Sequence, residues 1–282
     1  MDIHDFATFL EVSRTRHFGQ AARNLCITQS TVSARIRQLE QQLGTPLFIR
    51  ERNNIQLTPA GEKMLAYAET ITTAWNRARQ EVGISQAGKL PLSIGGIISL
   101  WDILLQQWIQ HLHQQHSELA LQGETHGNEI LIRRTLGNTL DIAVVFDAPQ
   151  NDNLVVRELA TIKLILVASR PGSAAEVMQQ DYILVDWGTS FLTRHAQEFP
   201  DQPMPALRIG QGRIALDFIL NCGGSAYLAE QMVQPHLDAG RLQRIDDAPV
   251  IERSAYAVYN SQNEKLDLIE QLLDEIEMSP IV

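Results

Sequence analysis

The sequence predicts a chain of the α/β class in two parts: a small, mostly helical N-terminal domain and a larger α/β domain, joined by one long helix. Three observations support this prediction. Apolar residues at helical spacing dominate residues 1–45. A narrow apolar seam with heptad-like steps runs through residues 64–82. From residue 90 onward, short apolar runs alternate with helical patterns, which is typical of an α/β sheet.

Residues 25–44 organise the N-terminal domain and predict a turn followed by a helix. Thr28 suits the N-cap, and Gly44 suits a left-handed terminator. One face of this helix is an apolar stripe: Val32, Ile36, Leu39 and Leu43. The opposite face carries small or polar side chains: Ser30, Ala34, Arg37 and Gln41. Hydroxyls, amides and a guanidinium suit base edges and phosphate oxygens, although an ordinary amphipathic surface helix would show the same pattern.

The flanking segments favour a helix-turn-helix over an ordinary surface helix. A first helix is predicted from Phe6, Phe9, Leu10 and Val12, and a short second one from residues 18–25. In the second, Ala21 and Ala22 allow the close helix approach that such a corner requires. Downstream, two apolar runs flank Asn53-Asn54, which predicts a hairpin with arginines beside its tip. A basic hairpin in this place is a wing, so the domain is predicted to be a winged helix-turn-helix that binds duplex DNA.

The predicted DNA contacts come from the helix and the wing. Gln29, near the helix N-terminus, should reach deepest into the major groove, and the arginines should mainly meet phosphates. The full predicted set is Gln29, Ser30, Thr31, Ser33, Arg35, Arg37, Arg50 and Arg52.

A long linker helix is predicted to begin at Thr58-Pro59, with threonine as the cap and proline at the first position. It should end near Gly83–Gly88, where residues 85–89 form a hinge-like segment. Its seam consists of Met64, Ala68, Ile71, Trp75, Ala78 and Val82. A second helix must cover so narrow a seam; a dimer partner is favoured over the body of the same chain.

These motifs resemble the signature of the LysR-type transcriptional regulators. The matching segments are Phe9-Leu10-Glu11-Val12, Phe18-Gly19-x-Ala21-Ala22, Leu25-x-Ile27-Thr28-Gln29-Ser30-x-Val32-Ser33, Ile36-Arg37-Gln38-Leu39-Glu40, Leu43-Gly44-x-Pro46-Leu47-Phe48-x-Arg50 and Leu57-Thr58-x-Ala60-Gly61. They cover residues 1–65, and residues 11–19 are similar to the flagellar-regulator branch of the family. The chain departs from the family pattern at Ala34.

The resemblance implies two Rossmann-like lobes, similar to periplasmic binding proteins, which hold a small-molecule effector between them. It also implies a dimer or dimer of dimers on an inverted-repeat operator, with RNA polymerase as a further candidate partner. The expected boundaries are 1–58 for the DNA-binding domain, 59–88 for the linker helix and hinge, and 89–282 for the effector domain. Within the latter, lobe I should comprise about 89–161 and 253–282, and lobe II about 162–252.

Effector contacts are expected at the carboxyl ends of strands, where helix N-termini present free amides. Lobe I offers Ser99 as a helix cap, Leu100, Trp101, Thr125 and His126. From lobe II come Trp187, Gly188, Thr189, Gln211 and Arg213. Ser99 could equally be purely structural, Trp187 could form a pocket wall or a cleft lid, and Arg213 could hold a carboxylate or be a solvated surface residue.

Charge separates the two parts of the chain. Residues 1–90 carry 11 Lys+Arg against 8 Asp+Glu, a net +3, whereas the remainder carries −13, which together make the total of −10. A basic head on an acidic body fits a DNA-binding domain attached to a domain with another task.

Other function classes have little support in the sequence. The two cysteines, Cys26 and Cys222, fall in different predicted domains, so free buried thiols are expected. His113 and His116 could share a metal ion, but no further ligands complete a site, so neither a metal nor another cofactor is expected. The glycine pairs lack the spacing of phosphate loops, and no arrangement of residues indicates an enzyme. Without a signal peptide or a long apolar run, a cytoplasmic protein with no membrane partner is expected.

The sequence leaves three hypotheses. The first is a homo-oligomeric transcription factor whose two-lobed domain senses a small molecule. The second is a DNA-bound regulator whose two-lobed domain binds nothing and serves assembly alone. The third, an enzyme or solute-binding protein with a vestigial head, is opposed by the basic wing and the polar face of the predicted recognition helix.

Overall fold

The computed structural model describes residues 2–51, 54–86, 88–200, 203–205 and 207–278. The chain forms two compact units, Met1–Leu90 and Pro91–Val282.

The first unit is a three-helix corner with a hairpin and a long final helix. Its elements are α1 (Ile3–Thr15), α2 (Phe18–Asn24), α3 (Gln29–Leu43), β1 (Phe48–Glu51), β2 (Asn54–Leu57) and α4 (Pro59–Gln86). The predicted caps of α3 are both present: the Thr28 hydroxyl accepts from the Thr31 N–H, and Gly44 takes a φ of 67°. The β1–β2 pair is antiparallel and forms the predicted wing.

A small aromatic and aliphatic core holds this unit together. Val32, Ile36 and Leu39 of α3 are fully buried, as their spacing predicted. Phe48 of the wing packs on Phe9 of α1, with ring centroids 5.4 Å apart, so the wing is anchored to the helical core. Leu43, the fourth member of the predicted stripe, is instead 43% exposed, because it lies in the last turn of α3 beyond the reach of that core.

Helix α4 is seated on the wing through a glycine. A Cβ on Gly61 would lie 2.2 Å from the Leu47 carbonyl oxygen, so only glycine fits this approach of helix to strand. The Thr58 hydroxyl accepts from the Gly61 N–H and itself donates to the Pro46 carbonyl, which joins the start of α4 to the same segment. The helix then continues through Gly83 to Gln86, which lies within the predicted end at Gly83–Gly88; a glycine weakens a helix without ending it.

The second unit is built on one mixed sheet. Within the described residues the strands are β3 (Leu90–Gly96), β4 (Leu119–Thr125), β5 (Ile142–Val145), β6 (Leu154–Ala168), β7 (Tyr182–Val185), β8 (Leu207–Ile209), β9 (Ser225–Ala229), β10 (Gln243–Arg244) and β11 (Ile251–Asn260). The order is β4-β3-β5-β11-β6-β9-β7-β8, with β10 on β6.

The antiparallel pair β6–β11 divides this sheet into two lobes. A bulge between Ala255 and Tyr256 marks the passage from one lobe to the other. We call β3, β4 and β5, with the adjoining half of the pair, lobe I, and the strands on the other side lobe II. In the sequence, apolar runs mark only Lys163–Ala168 and Ala255–Asn260 of these two long strands, because charged residues interrupt the pattern in the rest of each strand.

Eight helices of the described residues accompany the sheet. They are α5 (Ile98–Leu100), α6 (Gln106–Gln115), α7 (Asn128–Leu136), α8 (Ala174–Gln179), α9 (Thr189–Glu198), α10 (Gly212–Cys222), α11 (Glu230–Asp238) and α12 (Leu266–Met278). A π-helical turn, Trp101–Leu105, separates α5 from α6. Trp108 and Leu112 of α6 are fully buried in the core of the unit. Cys26 and Cys222 are free but exposed, not buried as expected.

Candidate DNA-binding face and interlobe junction

Helix α3 presents a polar face opposite its buried stripe. Gln29, Ser30 and Arg37 are exposed on this face, as is Ala34. Thr31 and Ser33 are half-buried at its flank. The Thr28 hydroxyl lies 2.8 Å from the hydroxyls of both Ser30 and Thr31, so these groups form one cluster at the start of the helix. An exposed amide, hydroxyls and a guanidinium at a helix N-terminus are groups that can reach base edges or phosphates.

Arg35 is placed differently from the other predicted DNA contacts. Its guanidinium donates to the Thr8 hydroxyl of α1 at 3.2 Å, and its side chain is half-buried. The predicted phosphate contact therefore has a structural task in this fold: it ties α3 to α1. Residue spacing could not show this, because Thr8 is 27 positions away in the chain.

The wing is held in place from the recognition helix. A carboxylate oxygen of Glu40 accepts from the backbone N–H groups of Leu47 at 2.9 Å and Phe48 at 3.3 Å. This pair of hydrogen bonds sets where β1 begins relative to α3. Arg50 lies in β1 opposite Ile55, and Arg52 falls outside the described residues.

The predicted seam of α4 divides into two parts. Met64 packs against the core of the first unit and Ala68 is fully buried in it, so these two do not form part of a free seam. The distal members Ile71, Trp75 and Val82 are exposed, and so is Ala78. Tyr67 is also exposed beside them, a residue that the heptad steps did not select.

Two of the predicted effector contacts in lobe I belong to the core. Ser99 and Leu100 are both buried, and the N-cap of α5 is Ile97, so the predicted capping role of Ser99 is wrong. The backbone enters the helix two residues earlier than the sequence indicated, which turns Ser99 inward.

The other predicted residues of lobe I lie at the edge formed by β4. The Trp101 indole donates to the Glu124 carbonyl at 2.8 Å, and its ring lies over Gly123. Thr125 is exposed. His126 contacts the Glu124 carboxylate at 3.0 Å, and Arg134 also binds this carboxylate, so the ring of His126 belongs to an ion network. Hydrogen bonds from Arg134 and His126 keep the pKa of Glu124 below its usual value despite the opposing effect of burial.

Trp187 in lobe II is not a cleft wall in this structure. Only 1% of its surface is exposed, and its indole donates to the Tyr227 carbonyl at 2.9 Å. A Cβ on Gly212 would lie only 2.6 Å from the Trp187 ring. The glycine at the start of α10 therefore leaves room for the indole. An aromatic residue at a strand end can turn back into its own lobe, and the sequence does not distinguish the two orientations.

Gln211 joins the two lobes. Its side-chain amide donates to the Asp102 carboxylate at 2.8 Å, and Asp102 lies in the π-helical turn that follows β3. Thr189 and Arg213, near the starts of α9 and α10, are exposed. The sequence interpretation selected Gln211 but missed Asp102, although Asp102 directly follows three selected residues.

A second polar contact joins the lobes closer to the shared strands. Arg253 of β11 donates from Nη2 to the Asp147 carboxylate, which lies just beyond β5, at 3.0 Å. The Arg253 guanidinium carbon lies 5.1 Å from the centre of the Phe146 ring. Gly188, a predicted effector contact, is adjacent: a Cβ there would be 3.1 Å from both groups. We call the region of these two contacts, Asp102–Gln211 and Asp147–Arg253, the interlobe junction.

Two other kinds of feature are absent from the described residues. They contain no group of three or more His, Cys, Asp or Glu side chains placed to hold a metal ion. Among the same residues, no helix has the length and apolarity needed to cross a bilayer.

Comparison with known proteins identifies the two units. Residues 3–62 match the family model described as bacterial regulatory helix-turn-helix protein, lysR family, and residues 85–279 match the LysR substrate binding domain. The chain is 38% identical to the HTH-type transcriptional regulator HdfR of Yersinia enterocolitica over 285 residues, which cover 97% of this chain and 95% of that protein.

Solved structures show the same fold. CbnR in complex with its target DNA superposes with a TM-score of 0.75 at 16% identity, covering 99% of this chain and 100% of that one. A full-length OxyR variant of Pseudomonas aeruginosa superposes with a TM-score of 0.59 at 21% sequence identity, covering 100% of this chain and 96% of that one. From the two family matches and the relationship to HdfR, the chain belongs to the LysR family: it is a DNA-binding transcriptional regulator with a substrate-binding domain, and not an enzyme.

Proposed function

We propose that the chain reads a specific operator through the exposed face of α3 and that a small molecule bound at the interlobe junction modulates this binding. The observation that supports the first part is the division of α3. Three fully buried side chains hold one face in the core, whereas Gln29, Ser30 and Arg37 stand exposed on the other. Ser33 flanks them, and the wing adds basic charge from Arg50 and Arg52.

The proposed mode of binding is a homodimer on an inverted repeat. Two recognition helices related by a two-fold axis would enter successive major grooves. The exposed distal part of α4, which contains Ile71, Trp75 and Val82, supports a helix-on-helix dimer contact, because large apolar side chains along one stripe of a helix need cover. Affinity should fall steeply with salt, since phosphate contacts release counterions.

The proposed effector site is supported by the Asp102–Gln211 contact. A hydrogen bond between groups of opposite lobes can exist in one lobe arrangement and break in another, so a ligand that competes for either group shifts that equilibrium. Thr125 and Thr189 are exposed near the same strand ends and offer further hydroxyls. A ligand acts only through its differential affinity for the two arrangements.

A DNA-binding titration with Gln29→Ala tests the reading role. The variant should lose roughly 1–3 kcal/mol of discrimination between operator and random DNA, while nonspecific affinity stays nearly constant. Gln41→Ala is the matched control, since Gln41 is exposed on the same helix but about three turns away from its N-terminus. Equal weakening on operator and random DNA would make Gln29 a phosphate contact and overturn its role in base reading.

A further inference from the structure

The chemistry around Arg253 points to the class of molecule that the junction binds. Arg253 is only 5% exposed, yet its hydrogen-bonded carboxylate partner, Asp147, is 55% exposed. The Nε atom of Arg253 is buried and has no hydrogen-bond partner among the described residues. A buried guanidinium normally gains several charge-assisted hydrogen bonds to offset its lost hydration. Arg253 is therefore under-satisfied for its degree of burial.

A helix N-terminus adds a second attraction for an anion at the same place. Helix α9 is ten residues long, its N-cap is Gly188, and no side chain caps it. The Gly188 N–H donates to Asp186 at 3.1 Å, which leaves the amides of the first turn of α9 without a capping side chain. Gly188 has a φ of 93° and no Cβ, so a carboxylate can approach both the backbone and Arg253. The Asp147 carboxylate lies in this position now, with its Oδ2 at 3.1 Å from where a Cβ would be.

An open groove continues from the Asp147 carboxylate along lobe I. It has a volume of about 580 Å³ and is lined by Phe146, Asp147, Ala148, Pro149, Gln150, Asn151, Leu154, Val156 and Tyr256. Apart from Asp147, Gln150 and Asn151, these side chains are apolar or aromatic. Once the Asp147 carboxylate is displaced, this end of the groove adjoins the Arg253 guanidinium, so the groove suits an apolar body that carries a single acidic group.

We propose that Arg253 is the anchor for an effector that bears a carboxylate on an apolar body, and that the Asp147 carboxylate holds the same position in this structure. This inference rests on the proposed effector function and adds the chemical class of the ligand. Asp147 belongs to lobe I, whereas Arg253 and the start of α9 belong to lobe II. A ligand carboxylate that replaces Asp147 therefore removes one bridge between the lobes, which couples occupancy to the lobe arrangement.

Chemical rescue tests the anchor without DNA. In Asp147→Ala, sodium acetate should raise the Tm by about 2–4 °C more than sodium chloride of equal ionic strength, because a ligand that binds only the folded state stabilises it. The native chain should show a smaller difference, since Asp147 competes with acetate. Arg253→Met in the Asp147→Ala background should abolish the acetate effect. An equal acetate effect with and without Arg253 would overturn the proposal.

Asp147→Asn serves if the alanine variant does not fold. It keeps the shape of the side chain but not its charge, so acetate should bind it more tightly than the native chain. Hexanoate should bind about tenfold or more tightly than acetate to this variant, because its extra methylenes lie in the groove. Val156→Glu, which places a charge on the exposed wall of the groove, should remove the preference for hexanoate. If acetate and hexanoate bind equally to Asp147→Asn, the groove is not part of the site. If neither binds, Arg253 is not a carboxylate anchor and the proposal is overturned. Neither outcome touches the Asp102–Gln211 contact, which separate variants test.

Discussion

The side-chain amide of Gln211 in lobe II donates a hydrogen bond of 2.8 Å to the carboxylate of Asp102 in lobe I. Asp102 lies in the π-helical turn that follows β3, and such turns are frequent at functional sites. The two residues are 109 positions apart, so the contact exists only when both lobes are folded and close together.

Breaking this contact should loosen the junction. In Asp102→Ala, amide hydrogen exchange of residues 98–105 and 207–217 should accelerate several-fold, since one such bond contributes about 0.5–1.5 kcal/mol. In Asp102→Asn, the exchange rates should lie between those of the native chain and Asp102→Ala, because the asparagine amide oxygen can still accept the hydrogen bond from Gln211. Arg194→Ala, which removes an exposed pair within α9, is the control and should leave both segments unchanged. Unaltered exchange in Asp102→Ala would show that other contacts hold the lobes.

The seat of α4 on the wing should be intolerant of any side chain. Gly61→Ala puts a Cβ 2.2 Å from the Leu47 carbonyl oxygen, and the backbone must move. The expected loss is about 1–3 kcal/mol of stability, measured by urea unfolding of the first unit. Gly83→Ala in the same helix meets nothing within 4 Å and should instead stabilise by about 0.5–1 kcal/mol. If the two variants had equal free energies of unfolding, the backbone around Gly61 and Leu47 would be able to accommodate a Cβ without loss of stability.

Charge on the exposed stripe of α4 should prevent dimer formation. Ile71→Asp and Trp75→Asp each place two carboxylates in a dimer seam by symmetry, which is unfavourable when the seam excludes water. Sedimentation should show monomers, and operator affinity should fall although no DNA contact has changed. Asn76→Asp adds the same charge to an exposed position off the stripe and should leave the dimer intact. If Trp75→Asp still sedimented as a dimer, the exposed stripe of α4 would not form the dimer contact and would be covered by another part of the same chain.

His116 should make the stability of the second unit depend on pH. Its ring nitrogens contact Glu275 at 2.8 Å and Glu118 at 3.0 Å, and the hydrogen bond with Glu275 is the main cause that raises the pKa of His116 above its ordinary value of 6.5. A raised pKa means that the stabilisation is fully present below pH 6.5 and is lost as the pH rises through the higher folded-state value.

Urea unfolding, followed by the fluorescence of Trp101, Trp108 and Trp187, would measure this dependence across that window. His116→Gln should flatten the curve, whereas His113→Gln, exposed on the same helix, should not. If the free energy of unfolding of His116→Gln depended on pH as steeply as that of the native chain, groups other than His116 would cause the pH dependence.

The first unit could be predicted from the sequence nearly element by element. Its helices are set by local patterns: Thr28 and Gly44 cap α3, and the spacing of Val32, Ile36 and Leu39 decides which face is buried. Such signals act within a few residues, so they can be read without knowledge of the partners. Leu43 and Arg35 are the exceptions, because their placement depends on where the core ends and on Thr8 in another helix.

The interlobe junction was decided by the tertiary structure. Strand ends and helix starts indicated Gln211 and Gly188, since the position of a residue at a strand end is a local property. Whether a side chain then turns outward or inward is not local: Trp187 turns into lobe II because Gly212, 25 positions later, leaves room for its ring. Arg253, Asp147 and Asp102 gain their roles only from residues more than 100 positions away. Sequence periodicity carries no information about such pairs, because their contacts form only when the two lobes pack together.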